Sequence, residues 1–184
     1  MEFEFFILDW IQTHLRHPIL DPIIVFITTL GNAGILWIGL TILLAVRKST
    51  RKTAAALAVA LGFCLLCGNL LLKPLIGRIR PFNVQDAIAL LIAAPLDYSF
   101  PSGHTMSSFA AAMVLLLTDR RMGIPAMLLA GLIAFSRMYL YVHYPTDVLA
   151  GLLMGCLFGW LAVRIVQKLH ARRFQGNQQE KPHR

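Results

Sequence analysis

Five stretches of this sequence, 23–46, 53–72, 103–119, 124–142 and 148–168, are apolar over close to the length that carries a helix across a bilayer. About 20 residues are needed to cross the hydrocarbon layer. Within that layer every backbone N–H and C=O must find a partner in the protein, so runs this long leave a helical bundle as the workable fold. Composition agrees: 57% of residues are hydrophobic and 14% charged, against about 25% charged in an ordinary soluble domain. The expected fold is therefore all-α, a polytopic transmembrane helical bundle of about five spans, or six if the first breaks at Gly31-Asn32. One membrane-embedded domain is expected over 1–168. The polar, basic stretch 169–184 is expected to be a disordered tail. The third run is short, but Ala110, Ala111 and Ala112 suit close helix packing.

The opening residues, MEFEFFILDW, carry Glu2 and Glu4 where a secretory leader would carry basic residues, so no cleavable signal is expected. Asp9, Gln12, His14, Arg16 and His17 interrupt the apolar run, which suits an amphipathic helix lying in the membrane interface. Cys64-x-x-Cys67 sits within GFCLLCGNLLL and reads as small packing residues rather than a redox or metal motif.

The 17 Lys and Arg residues are unevenly placed. Arg47, Lys48, Arg51 and Lys52 follow the first run, and Arg120 and Arg121 join the third to the fourth. Arg164, Lys168, Arg172, Arg173, Lys181 and Arg184 end the chain. Alternating spans put all of these on one side, which the positive-inside rule makes cytoplasmic. The basic tail then reads as a topology signal that also meets anionic lipid, not as a nucleic-acid site. Arg16, Lys73, Arg78, Arg80 and Arg137 remain for the other face.

Four of those outward cations lie near span ends. Arg137 is placed within roughly 9 Å of the end of the fourth run at 1.5 Å per residue. A charge at the centre of a membrane helix costs about 2.5–3.5 kcal/mol even on a lenient insertion scale, so a polar purpose is expected of one held at such depth. At the same level stands Pro101-Ser102-Gly103-His104. Pro101 forces an extended approach, Ser102 is a good N-cap, and the free amides of a helix start bind anions. His143 and Asp147 are four apart across another helix start, with Pro145 in its first turn. That spacing lets the carboxylate accept from one ring nitrogen and leaves the other as a lone-pair nucleophile. A capping Asp beside an interfacial His is the plainer reading of the same residues. Zinc on two His and one Asp is a third, disfavoured by the neighbouring cations.

Taken together, these residues resemble the type-2 phosphatidic acid phosphatase superfamily, which also includes the vanadium haloperoxidases. Its signature is Lys, six residues, Arg-Pro; then Pro-Ser-Gly-His; then Ser-Arg, five residues, His, three residues, Asp. This chain has Lys73, Arg80 and Pro81, then Pro101, Ser102, Gly103 and His104, then Ser136, Arg137, His143 and Asp147. The resemblance implies that His143 attacks phosphorus, Asp147 orients it, and His104 protonates the leaving oxygen and later helps activate water. It also implies that Lys73, Arg80, Arg137, the Ser102 hydroxyl and the Gly103 amide hold the phosphate oxygens, with no metal and no cofactor. Arg78 matches no fixed position and is expected to support the site or touch the headgroup. Residues 82–100 separate the first two motifs, and a short amphipathic helix around Asp86–Ala94 is expected to rim the lipid path.

The implied activity is hydrolysis of a membrane lipid phosphate at the extracytoplasmic face of the bacterial cytoplasmic membrane. Undecaprenyl diphosphate is the favoured substrate. Phosphatidylglycerophosphate, phosphatidic acid and the lipid A 1-phosphate are the alternatives, because the motifs read the phosphate and not the tail. A lipid carrier or flippase, or a haloperoxidase-like oxidant, are readings from other classes. The oligomeric state is not readable from the sequence.

Overall fold

The computed structural model describes residues 2–85 and 88–179, with side chains to Arg172. Among the described residues every regular element is helical: α1 (Glu2–His14), α2 (Leu20–Leu30), α3 (Ile35–Val46), α4 (Arg51–Phe63), α5 (Lys73–Ile76), α6 (Gly103–Thr118), α7 (Arg120–Tyr139) and α8 (Pro145–Gln179). A π-helical segment, Cys64–Leu72, joins α4 to α5. Among the described residues three helical stretches are long and apolar enough to cross a membrane: Lys48–Asn83, Arg120–Tyr139 and Pro145–Arg172. The pair Leu20–Leu30 and Asn32–Val46 passes the same test together, bent by 42° at the break. The bend falls where Gly31-Asn32 raised the question of a broken span. Ala33 (φ 49°) and Gly34 (φ 67°) take left-handed backbone there, which a continuous right-handed helix does not allow.

At 16 residues α6 is the short member, and it is central. Ala110, Ala111, Ala112, Val114 and Leu115 are fully buried, and α7 and α8 pack along it. The packing with α8 runs backbone to backbone. Gly151, Gly155 and Gly159 recur every four residues, and a Cβ at Gly155 would lie 2.4 Å from the Met106 carbonyl oxygen. Small residues at this spacing let helices approach without side chains between them, so dispersion contacts replace the hydrophobic drive that lipid does not supply. The resulting rigid α6–α8 pair presents two helix starts, Gly103 and Pro145, at one end of the bundle.

Three boundaries differ from expectation. The fourth run does not stay helical to 142: α7 stops at Tyr139, and Tyr141 turns the chain with φ 58°. A non-glycine residue seldom sits there unless its surroundings hold it. Here Asp9 of α1 accepts from the Tyr141 hydroxyl, which also contacts Gln85. The expected helix around Asp86–Ala94 is absent over 88–94, while Asp86 and Ala87 lie outside the described residues. A helix this short is marginal alone, and Pro95 disfavours helical backbone at its end. Leu90, Leu91 and Ile92 instead pack against Tyr139, Leu140 and Val142. Finally, α8 runs on to Gln179, where 169–184 was expected to be disordered. Lys181 and Arg184 lie outside the described residues.

Candidate active site

The motif residues meet where helices end. Lys73 closes the π-helical segment, Arg80 precedes the turn Pro81–Asn83, Gly103 starts α6, Arg137 lies in the last turn of α7, and Asp147 in the first turn of α8. The turn 140–144 then brings His143 back between them. A cavity of about 720 Å³ is lined by Lys73, Arg80, Gly103, His104, Arg137 and His143, with Thr29, Asn32, Ile38, Leu61 and Leu65 among its other walls.

His143 is 1% exposed. Its Nε2 lies 3.2 Å from Arg80 Nη1. Arginine has only donors, so that contact needs the imidazole lone pair on Nε2 and places the ring proton on Nδ1. Nδ1 faces Asp147 Oδ2 and the Ser99 hydroxyl, each at 3.5 Å. Burial holds the His143 imidazolium well below its ordinary value near 6.5, and the charges of Arg80, Arg137 and Lys73 push the same way. A neutral ring with an unprotonated Nε2 is the form a nucleophile requires.

Asp147, fully buried, stands behind His143 rather than in the cavity wall. Its Oδ2 accepts from the Ser99 hydroxyl (2.5 Å) and the Tyr144 amide (2.9 Å). Its Oδ1 accepts from Arg78 Nη1 at 2.5 Å. Arg78 also donates to Glu4 of α1 (2.6 Å) and Thr146 (2.7 Å), and stacks 4.0 Å from the centre of the Tyr144 ring. The residue that matched no motif position is thus the charge partner of the motif carboxylate.

Arg80 has a partner at each nitrogen. It donates through Nε to the Asp97 carbonyl (2.8 Å), through Nη1 to the Val142 carbonyl (2.6 Å) and through Nη2 to the Asp97 carboxylate (2.5 Å). Lys73 Nζ contacts the same carboxylate and donates to the Tyr98 carbonyl at 3.0 Å. Burial raises the Asp97 carboxyl, but hydrogen bonds and charge from Lys73 and Arg80 outweigh it and hold the group at about 2. Arg137, 2% exposed, reaches the Thr28 hydroxyl of α2 through Nη1, while its Nε meets no hydrogen-bond partner among the described residues.

His104 lines the cavity with its Nε2 2.9 Å from Asn32 Oδ1, so the break after α2 delivers a polar partner to the second histidine. Ser102 does not face the cavity as expected. Its hydroxyl is buried and accepts from Thr105 (2.9 Å), and its amide donates to the Asp147 carbonyl (3.1 Å), tying α6 to α8. Pro81, Pro101 and Ser136 are buried supports, Ser136 donating to the Ile133 carbonyl at 2.6 Å. The sequence reading had missed Asp97, Ser99 and Thr28. Ser99 stands two residues before Pro101, and Asp97 is an acid inside an otherwise apolar linker, which are the signals that could have drawn notice.

Residues 51–171 match the PAP2 superfamily. An undecaprenyl-diphosphatase of Sulfolobus acidocaldarius is 37% identical over 147 residues, which cover 79% of this chain and 70% of that relative. The undecaprenyl-diphosphatase BcrC of Bacillus subtilis is 33% identical over 149 residues, covering 81% and 76%. The crystal structure of Aquifex aeolicus LpxE superposes with a TM-score of 0.77 at 29% identity, over 88% of this chain and 95% of that one. Helices fit to span a membrane, the motifs in order, their convergence on one cavity and these likenesses agree: the chain belongs to the PAP2 superfamily, as a membrane lipid phosphatase.

Proposed function

We propose that this protein hydrolyses undecaprenyl diphosphate to the monophosphate and inorganic phosphate, without a metal, at the extracytoplasmic face of the bacterial cytoplasmic membrane. The names of the two relatives support the substrate. The observation that carries the chemistry is the His143 ring, its Nε2 lone pair turned to Arg80 and its Nδ1 backed by Asp147, in one cavity with His104 and three cations.

In this reading Nε2 of His143 forms the N–P bond as the bond to the leaving oxygen breaks, and His104 gives that oxygen its proton. Water then attacks the phosphohistidine, His104 takes the water's proton, and the N–P bond breaks to release phosphate. Arg80, Lys73, Arg137 and the Gly103 amide hold the equatorial oxygens where charge gathers in the transition state. Ser102 ties α6 to α8 through its amide, and its hydroxyl, which accepts from Thr105, keeps its own proton to donate to a phosphate oxygen. The whole of 1–168 serves as one phosphatase domain, with α1 lying in the outer interface.

Sidedness follows the cations. Lys52, Thr118, Gln167 and His170 surround a crevice made by the start of α4 and the far ends of α6 and α8. α6 and α8 both start at the site, so this crevice marks the opposite end of the bundle. With Arg120, Arg121, Lys168 and Arg172 close in the chain to its lining residues, we assign that end to the cytoplasm.

The test is phosphate release by purified protein in detergent with excess EDTA, comparing undecaprenyl diphosphate, phosphatidylglycerophosphate and phosphatidic acid. Preferred release from the first supports the proposal. Preference for another lipid reassigns the substrate, activity that returns only with a divalent metal overturns the metal-free mechanism, and no release from any refutes the reading.

A further inference from the structure

The cations that the proposed function assigns to phosphate already hold an anion of the protein's own. The Asp97 carboxylate bridges Lys73 Nζ and Arg80 Nη2, two of the three cationic side chains at the His143 end of the cavity, and Asp97 itself lines that cavity. Its side chain is 56% exposed, while those of Lys73 and Arg80 are 8% and 3% exposed. The carboxylate can therefore leave by a change of rotamer, whereas the cations cannot.

Two backbone bonds keep the carboxylate close when it leaves. Arg80 Nε holds the Asp97 carbonyl and Lys73 Nζ holds the neighbouring Tyr98 carbonyl. Neither uses the carboxylate, so the loop stays fastened while the side chain moves. A tethered group of this kind competes at an effective concentration of about millimolar or above.

Resting on the phosphate-binding roles just proposed, we infer that Asp97 is an internal competitor for the phosphate subsite. The substrate's phosphoryl group displaces the carboxylate from Lys73 and Arg80, and the carboxylate's return expels inorganic phosphate after hydrolysis. A clamp of three buried cations would otherwise hold a free anionic product tightly. Asp97 tunes it toward release and favours substrates that bring further binding energy from a lipid tail.

The obvious alternative, a carboxylate that merely holds Lys73 and Arg80 in place, predicts the opposite sign. Binding of inorganic phosphate to the full chain in detergent is to be measured by calorimetry for wild type, Asp97→Asn and Asp97→Glu. Loss of two charge-assisted hydrogen bonds from the competitor should tighten phosphate binding by about tenfold or more in Asp97→Asn. Asp97→Glu, which keeps the anion, should remain much nearer wild type. Unchanged or weaker binding in Asp97→Asn overturns the inference.

A second measurement uses wild type alone and covers the case of a variant that does not fold. Water-soluble carbodiimide labelling of Asp97, read by peptide mass spectrometry, should rise several-fold when inorganic phosphate is added. Protection, or no change at a phosphate concentration that calorimetry shows to be saturating, overturns it. Neither readout needs lipid turnover, so failure here is distinct from failure of the undecaprenyl diphosphate assignment.

Discussion

Arg78→Met removes the guanidinium that pairs with the motif carboxylate. Asp147 is fully buried, and its Oδ1 is matched by Arg78 at 2.5 Å. Methionine keeps much of the stem that lies over Tyr144 but leaves that oxygen unpaired, and Glu4 loses the same guanidinium. Breaking a buried ion pair from one side costs about 3–5 kcal/mol. Arg78 is 23% exposed, so water can enter the gap, and about half that figure is the better expectation after screening. If most of this is felt as misorientation of Asp147 behind His143, kcat falls about 10- to 50-fold, since 1.4 kcal/mol is tenfold in rate. The assay is steady-state phosphate release from undecaprenyl diphosphate and from a short soluble phosphate ester, with Arg78→Lys beside it. Lysine restores charge but not the fork that spans Asp147, Thr146 and Glu4, so it should fall between wild type and Arg78→Met. A raised KM for lipid alone, with wild-type kcat on both substrates, would make Arg78 a headgroup contact and refute the orienting role.

Arg80 and Arg137 should separate in kinetics. Arg80→Lys removes the donor facing His143 Nε2 and should lower kcat about tenfold or more, whereas Arg137→Lys, at a guanidinium bonded to Thr28 and not to His143 among the described residues, should act mainly on phosphate affinity, read as KM and vanadate inhibition. Asn32→Leu removes the partner of His104 Nε2 and should reduce kcat about tenfold with both substrates, measured at saturating concentration. Gly155→Leu forces a side chain into a backbone contact that a Cβ would meet at 2.4 Å, and the detergent-solubilised protein should lose at least about 1–3 kcal/mol of stability, seen as a lower thermal midpoint. The His143 imidazole is held well below 6.5, so the unfolded chain binds more protons; stability is fully present above about pH 6.5 and is lost on acidification toward the depressed folded value. The thermal midpoint should therefore fall from pH 7 to 5, and His143→Asn should lessen that slope, by at most about 1.4 kcal/mol per pH unit for one proton.

Local signals made the helices legible, and the motifs marked most of the polar residues that line the candidate cavity. Long apolar runs, Pro101 before a helix start and Gly31-Asn32 inside a run act within a few residues, so they survive without knowledge of the fold. What could not be read depends on contacts far apart in the chain. The stop of α7 at Tyr139 rests on Tyr141 being anchored to Asp9, 132 residues away. The lack of a helix over 88–94 rests on Leu90, Leu91 and Ile92 finding the turn at 139–142. Arg78 was left with two readings because its partners Glu4 and Asp147 come from opposite ends of the chain. Ser102 shows the converse: an N-cap residue in a phosphate motif suggests an exposed hydroxyl, yet it is buried and accepts from Thr105, three residues on.

The same geometry explains how so many charges are tolerated at a bundle end. A helix interior has no free carbonyls to offer a cation, because each already accepts an intrahelical bond. Besides the Asp97 carboxylate, the acceptors that meet Arg80 and Lys73 are the carbonyls of Val142, Asp97 and Tyr98, all in turns or loops. Building the site from helix ends therefore does two things at once. It supplies acceptors that lower the cost of burying Arg80 and Lys73, and it leaves the donors of Gly103 and Arg137 facing the cavity with fewer claims on them. Arg80, each of its three nitrogens partnered, is held in one orientation beside His143 Nε2 and meets a phosphate only as Asp97 gives way. Arg137, with one hydroxyl partner, keeps most of its donors for a phosphate. The division of labour between the two guanidiniums follows from which of them the turns have already satisfied.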